Sequence, residues 1–503
     1  MSAKFHRRLI FTVAAHGCLG MSWNFQYLAL NLLEPFMSSF TNQSFCDHYG
    51  KVLDLDAFSW LWASLAVSYF VGAILGGACL TWFFETLGRR DTLMLFCQVL
   101  LIISCIFQAV SKQANSFELV IVGRLLLGFA ANCGSYYVFV TECVPDQVRG
   151  EATMLVALGQ YIWILLGTVF ALPQILGTDT RWPLYFLFPI IPSVIYMLLT
   201  PFFPRSPKYL YIEEKQMSKA LSSIEFYHGD DAKIEEIIEE YERESELAAQ
   251  RRTVTFRQIW KAHQLRYPLL ICLLTAMAQS FSGEPIGAQY SNVILQLLSV
   301  GQQGAITIMA LLFVLKVALG FVVSLVLIEK VGRRPLLVGG VSCACLGILV
   351  TFSGLVSHGS LEGGLSPGSY AGVIGYFLIV MGDVLGVTSI PNLLIGELNP
   401  QASRSHVATA FQMSLQFFNF VQILVFPPLL AAAGPYSFLP VLVIEIVNLG
   451  LLVRFVPETK SLPVNKIVEH LWEEVDHFKM DENTPLLVSE CLRKSSSHHE
   501  DYD

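Results

Sequence analysis

The chain has 503 residues, of which 54% are hydrophobic and only 14% charged, with a mean hydropathy of +0.54. Soluble proteins carry roughly 25% charged residues, so an ordinary soluble domain is excluded. The net charge of −8 comes largely from one central segment and the tail, and the lack of any basic patch larger than a loop argues against a nucleic-acid partner.

A helix that crosses a bilayer needs about 20 mostly apolar residues. By that measure the sequence predicts twelve spans, at 9–38, 58–84, 91–111, 117–140, 152–174, 183–203, 267–297, 303–328, 335–357, 368–395, 406–432 and 435–456. The first run is too long for the core of a signal peptide and lacks a small-residue cleavage site, so it is read as a span. The fold class expected is an all-α membrane protein. Its parts are a six-helix half over 1–204, a helical cytoplasmic linker over 205–262, a second half over 263–457 and a tail over 458–503.

The loop after the first span holds Asn42-Gln43-Ser44, an N-glycosylation acceptor on the outer side. After the second span comes Glu85-Thr86-Leu87-Gly88-Arg89-Arg90. It is echoed after the eighth by Glu329-Lys330-Val331-Gly332-Arg333-Arg334. Paired arginines in so short a loop mark the cytoplasmic surface, and matching loops in two halves point to the internal duplication of many secondary transporters. Lys4, Arg7, Arg8, Arg89, Arg90, Arg149, Lys330, Arg333, Arg334 and Arg404 fall on the inner face, against Lys51, Lys112 and Arg181 on the outer one. Both termini are therefore expected in the cytoplasm, in the plasma membrane or an endosomal or lysosomal membrane.

Between the halves, Ile234, Ile237, Ile238 and Tyr241 recur at helical spacing among acids, which predicts short amphipathic helices beneath the bundle. The tail repeats that pattern once and then turns polar. It carries Glu482 four residues before Leu486-Leu487, the acidic dileucine pattern read by clathrin adaptors. The eleven cysteines include no zinc-like spacing, and no nucleotide loop or nucleophile–base set occurs. An enzyme, a metal and a cofactor are not expected.

These features resemble the sugar porter family of the major facilitator superfamily, the group that contains the facilitative glucose transporters. The likeness rests on the paired Gly-Arg-Arg loops and on Gly123-Arg124 through Gly128. It continues through Glu142 with Arg149-Gly150, Arg181-Trp182-Pro183 and Pro204-Arg205-Ser206-Pro207-Lys208-Tyr209-Leu210. In the second half it includes Gln279 with Ser282-Gly283, Ile390-Pro391, Glu397-Leu398, Arg404, and Val456-Pro457-Glu458-Thr459-Lys460.

The resemblance implies an alternating-access carrier of a small polar solute such as a hexose, lying in the lipid bilayer. It also implies charge latches, with Glu85, Arg89, Arg90, Glu142 and Arg149 in the first half. Glu329, Arg333, Arg334, Glu397 and Arg404 are their counterparts in the second. This sequence departs from the family in having Arg205 where a Glu is usual, Asn392 where a Trp is usual, and Leu415-Gln416 for Asn-Trp. The carriers driven by protons have an Asp in the first span. Here that span offers Asn24, Gln26 and Asn31, with Glu34 near its outer end, which favours downhill diffusion.

Solutes of such carriers bind near the midplane between the repeats. The polar residues expected there are Gln160, Gln279, Ser280, Glu284, Gln289, Tyr290, Asn392, Gln412, Gln416 and Asn419, since each amide offers both donors and an acceptor to hydroxyl groups. Gly283, Pro285, Gly287, Gly386 and Pro391 should interrupt the seventh and tenth spans. Glu284 and Lys316 are charges that the family pattern does not explain. They are expected to pair with each other, or Lys316 with Asp383. A carrier of a non-sugar solute (an organic anion, a polyol or a vitamin-like compound) and a non-transporting sensor are the competing readings.

Overall fold

A computed structural model of the protein describes residues 7–133, 136–145, 149–229, 234–239, 241–242, 256–323, 328–358, 366–399 and 401–459. All regular structure among them is helical. Eight stretches of these residues are long and apolar enough to cross a membrane, and the last, His406–Phe455, covers both the eleventh and twelfth predicted spans. Of the other predicted spans, the first is broken, the fourth is described as Glu118–Cys133 and Tyr136–Cys143, and the fifth forms the helix Arg149–Phe170.

The first span departs most from expectation. Instead of one helix it forms Arg7–Cys18, a 3-10 stretch Gly20–Gln26, a short turn Ala29–Leu32 and then the helix Glu34–Tyr49. A break at membrane depth frees backbone carbonyls that water cannot reach, so side chains must take them up. Trp163 Nε1 donates to Cys18 O at 2.9 Å, and the Tyr185 hydroxyl donates to Phe25 O at 2.6 Å. The helix Glu34–Tyr49, started by Pro35, also corrects the placing of Asn42 in a loop. Asn42 is an exposed helical residue, whereas Ser44 is buried with its hydroxyl on Asn115 O.

The seventh span breaks where expected. Gly283 has a left-handed φ of +84°, which only glycine adopts freely, and divides His263–Phe281 from Glu284–Leu297. The tenth runs Pro367–Gly382, then a π-helical turn Asp383–Val387, then Ser389–Leu398. Such turns shift the register of the side chains that follow.

The second span packs on the fourth and on the eleventh, the eighth on the fifth, and the first on the seventh. Backbone contact makes the first of these possible: a Cβ on Gly72 would stand 2.0 Å from Leu125 O, and one on Gly128 would stand 1.9 Å from Tyr69 O. Small residues let membrane helices approach in this way, and here they bring Tyr69 alongside Arg124. The linker forms Pro207–Ile212, Met217–His228 and Phe256–Lys261. Of the face predicted there, Ile234, Ile237 and Ile238 are half-buried and Tyr241 is buried.

Candidate functional site

Polar side chains from both halves converge between them. Asn31, at the break of the first span, donates to Ala288 O at 3.0 Å and to Ser291 Oγ at 2.7 Å. It also accepts from Asn292 N at 2.8 Å. Asn132 of the fourth span accepts from Gln412 Nε2 at 3.2 Å and Gln416 Nε2 at 3.3 Å, both on the eleventh. Gln289 lies beside the Tyr27 hydroxyl. Gln279 Oε1 and Asn419 Oδ1 are buried with no hydrogen-bond partner, and Gln160 is half-buried. Several of these bonds join spans before the linker to spans after it, while Asn132 also donates to Gly128 O of its own helix at 3.4 Å.

Three expected site residues have other duties. Pro427 and Pro428 lie inside the helix Gln401–Ala433. Pro427 has no N–H for the carbonyl four residues earlier, and the Tyr290 hydroxyl takes that place on Ile423 O at 2.9 Å. Ser280 is fully buried and bonds Leu415 O at 3.2 Å. Asn392 is exposed, with its amide on Thr388 O of its own helix, so it stays out of the cluster of glutamines. Proline chemistry could have suggested the first correction, but nothing in the sequence marked the other two.

Lys316 resolves its two expected partners by taking both. Its Nζ stands 2.9 Å from Glu284 Oε1 and 2.8 Å from Asp383 Oδ2. Thr388 Oγ1 donates to the other Asp383 oxygen. The triad joins the start of the seventh span's second half-helix, the middle of the eighth span and the π turn of the tenth. A small cavity beside it is lined by Glu284, Lys316, Tyr376 and apolar neighbours.

At the end of the bundle that carries the Gly88-Arg89-Arg90 loop, Arg89 lies 2.6 Å from Glu142 Oε1 and 2.9 Å from Glu213 Oε1. Arg90 pairs with Asp91 and donates to Phe203 O, each at 2.8 Å. Arg205, the sign reversal, finds Asp91 at 2.7 Å and also pairs with Glu214. The reversed charge therefore sits within a network that the sequence comparison had not included. The side chains of Glu85, Arg149 and Glu329 lie outside the described residues.

In the second half Arg333 Nε lies 3.3 Å from Glu397 Oε1. The carboxylate of Glu458, a residue not expected to belong here, accepts from the N–H groups of Arg333 at 3.0 Å and Arg334 at 3.2 Å. Those are the first N–H groups of the helix Arg333–His358, which lack intrahelical partners. Arg334 also donates to Val453 O. Arg404 does not join Glu397 as expected: its Nη2 reaches Asn399 O at 3.4 Å, five residues back on its own segment. Among the described residues, no ion pair joins the first network to the second. Glu482, Leu486 and Leu487 lie outside the described residues.

Residues 10–471 match the family described as sugar (and other) transporter. The chain is 27% identical over 465 residues to solute carrier family 2, facilitated glucose transporter member 7 of Mus musculus, covering 91% of this chain and 89% of that protein. It is 30% identical to member 5 of Bos taurus over 464 residues, with 90% of each chain covered. The fold is similar to the inward-open xylose transporter XylE from E. coli, with a TM-score of 0.72 at 18% identity, over 92% of this chain and all of that one.

Proposed function

The chain belongs to the sugar (and other) transporter family, and on that premise we propose that it moves a monosaccharide or related small polar solute across a membrane by alternating access, down the solute's gradient. The observation that carries this reading is the polar contact between halves, in which Asn132 holds Gln412 and Gln416 while Asn31 holds the segment 288–292. These bonds must break and re-form each time one side of the site opens. Relatives named as facilitated glucose transporters, over nine-tenths of the chain, support a sugar as solute.

The same reading divides the chain into halves 1–204 and 263–457, joined by the linker, with both termini cytoplasmic. Glu284, Gln279, Gln289, Gln160, Gln412 and Gln416 serve the solute, and the arginine networks bias the cytoplasmic gate. Each exposed pair contributes only about 0–1 kcal/mol, but several together can shift an equilibrium between states a few kcal/mol apart. Asn42 carries a glycan, and the dileucine tail engages a clathrin adaptor.

The test is counter-flow in proteoliposomes preloaded with unlabelled D-glucose or D-fructose. Accumulation of the labelled sugar against its own gradient is expected. Binding without exchange would refute the carrier reading in favour of a sensor.

A further inference from the structure

In the buried triad one ammonium serves two carboxylates, so Lys316 can let one acid go and still keep a partner. The two acids are not equivalent. Asp383 is buried, with one oxygen 2.8 Å from Lys316 Nζ and the other accepting from Thr388 Oγ1. Glu284 is the more open of the two and is held by Lys316 through Oε1. It also lines the small cavity, together with Lys316, Tyr376 and apolar side chains of the eighth and tenth spans. Glu284 is therefore the acid that Lys316 can release.

Its surroundings tie Glu284 to the movement between the halves. It is the first residue of the half-helix beyond the Gly283 break, and Asn31 of the first span holds that half-helix at residues 288–292. Parting of the halves must shift the element that carries this carboxylate. The ionisable neighbours of Glu284 are Lys316, Asp383 and Tyr376, with Tyr27 of the first span and Tyr161 of the fifth. Tyr27 in turn neighbours Arg124. The eleventh span also packs on the half-helix, but it has no ionisable side chain after His406. The seventh has none between Cys272 and Glu284. A tyrosine ordinarily keeps its proton near neutral pH, which leaves the two acids and Lys316 to set the charge of the site.

We propose that the solute crosses together with one proton, and that Glu284 is the residue that carries it. This rests on the carrier reading and adds a second passenger: at equal pH on both sides the solute still runs down its own gradient, whereas a pH difference can drive it. The downhill reading of the sequence rested on the first span alone, and the triad lies outside that span. With Lys316 bonded to both acids no proton is required. A solute hydroxyl that bonds Glu284 in place of Lys316 leaves a carboxylate without its counter-ion, which is costly to bury as the halves close. A proton from water on the open side then bonds to a Glu284 oxygen and converts the carboxylate to a neutral acid. Lys316 stays paired with Asp383. When the other side opens and the solute leaves, Glu284 gives the proton to water there and rejoins Lys316. Each neutral solute thus moves with one positive charge.

The experiment uses proteoliposomes whose interior is about one pH unit more alkaline than the outside, with the membrane potential clamped at zero by potassium and valinomycin. One proton per solute then sets an accumulation limit of about tenfold. Labelled D-glucose or D-fructose should accumulate inside towards that limit, and should only equilibrate when the pH difference is removed. Glu284→Gln should lose the accumulation, because an amide neither takes up nor releases a proton, and its counter-flow reports whether the variant is active. Where it is inactive, Glu284→Asp should keep the accumulation but move the pH at which it is half-maximal. Equilibration without accumulation in the unaltered protein would overturn the proposal. So would undiminished accumulation in an active Glu284→Gln, or an unmoved midpoint in Glu284→Asp. Counter-flow without accumulation sinks only this inference, whereas the absence of both sinks the carrier reading beneath it as well.

Discussion

Replacing Glu284 by Gln tests the buried triad most directly. The Lys316 side chain is 10% exposed and lies between two carboxylates, of which Asp383 is 3% and Glu284 22% exposed. Removing one partner from a buried ion pair typically costs about 3–5 kcal/mol. Glu284→Gln should cost less, about 1.5–3 kcal/mol, because Asp383 still neutralises the ammonium and only one charged hydrogen bond is weakened. Lys316→Met leaves two carboxylates facing each other and should approach the upper limit, about 5 kcal/mol. Asp383→Asn should fall between them, since Asp383 is the more buried acid and also holds Thr388.

The assay is unfolding of the purified variants in nanodiscs, with Glu284→Gln and Lys316→Met combined in a double-mutant cycle. The pair should be less damaging than the sum of its parts by more than about 1 kcal/mol, as expected for groups in contact. Additivity within about 0.5 kcal/mol would refute the coupling. So would a Lys316→Met variant as stable as the parent.

Three further outcomes are expected. Arg333→Ala should raise the reaction of a cavity cysteine with a cytoplasmic thiol reagent and slow net transport; unchanged labelling would reduce the arginines to signals of topology. Glu458→Ala should lose about 1–2 kcal/mol by uncapping two N–H groups of the ninth span, read as a lower unfolding midpoint, while Glu458→Gln should recover part of it. Leu486 and Leu487 changed together to Ala should shift the protein toward the cell surface in microscopy, and an identical distribution would dismiss the motif.

Much of this protein was legible in its composition and motifs. Apolar runs report length directly, because the bilayer sets a minimum that no tertiary contact can alter. The break at Gly283 was legible for a similar local reason, as were the paired Gly-Arg-Arg loops. Chain-local chemistry also limited the partners of Lys316 to two acids.

What only the tertiary structure decided was which distant atoms meet. The first span reads as one apolar run, yet it breaks because Trp163 and Tyr185 stand ready for its freed carbonyls. Tyr290 looks like a ligand for the solute until Pro427, on another helix, is seen to leave a carbonyl for it. Glu458 caps a helix that starts 125 residues earlier. Arg124, an ordinary family marker in the sequence, has no hydrogen-bond acceptor among the described residues and lies among three tyrosines from three different spans. Hydrogen bonds and charges act over a few ångströms in space, and sequence order carries that proximity only within a helical turn or two.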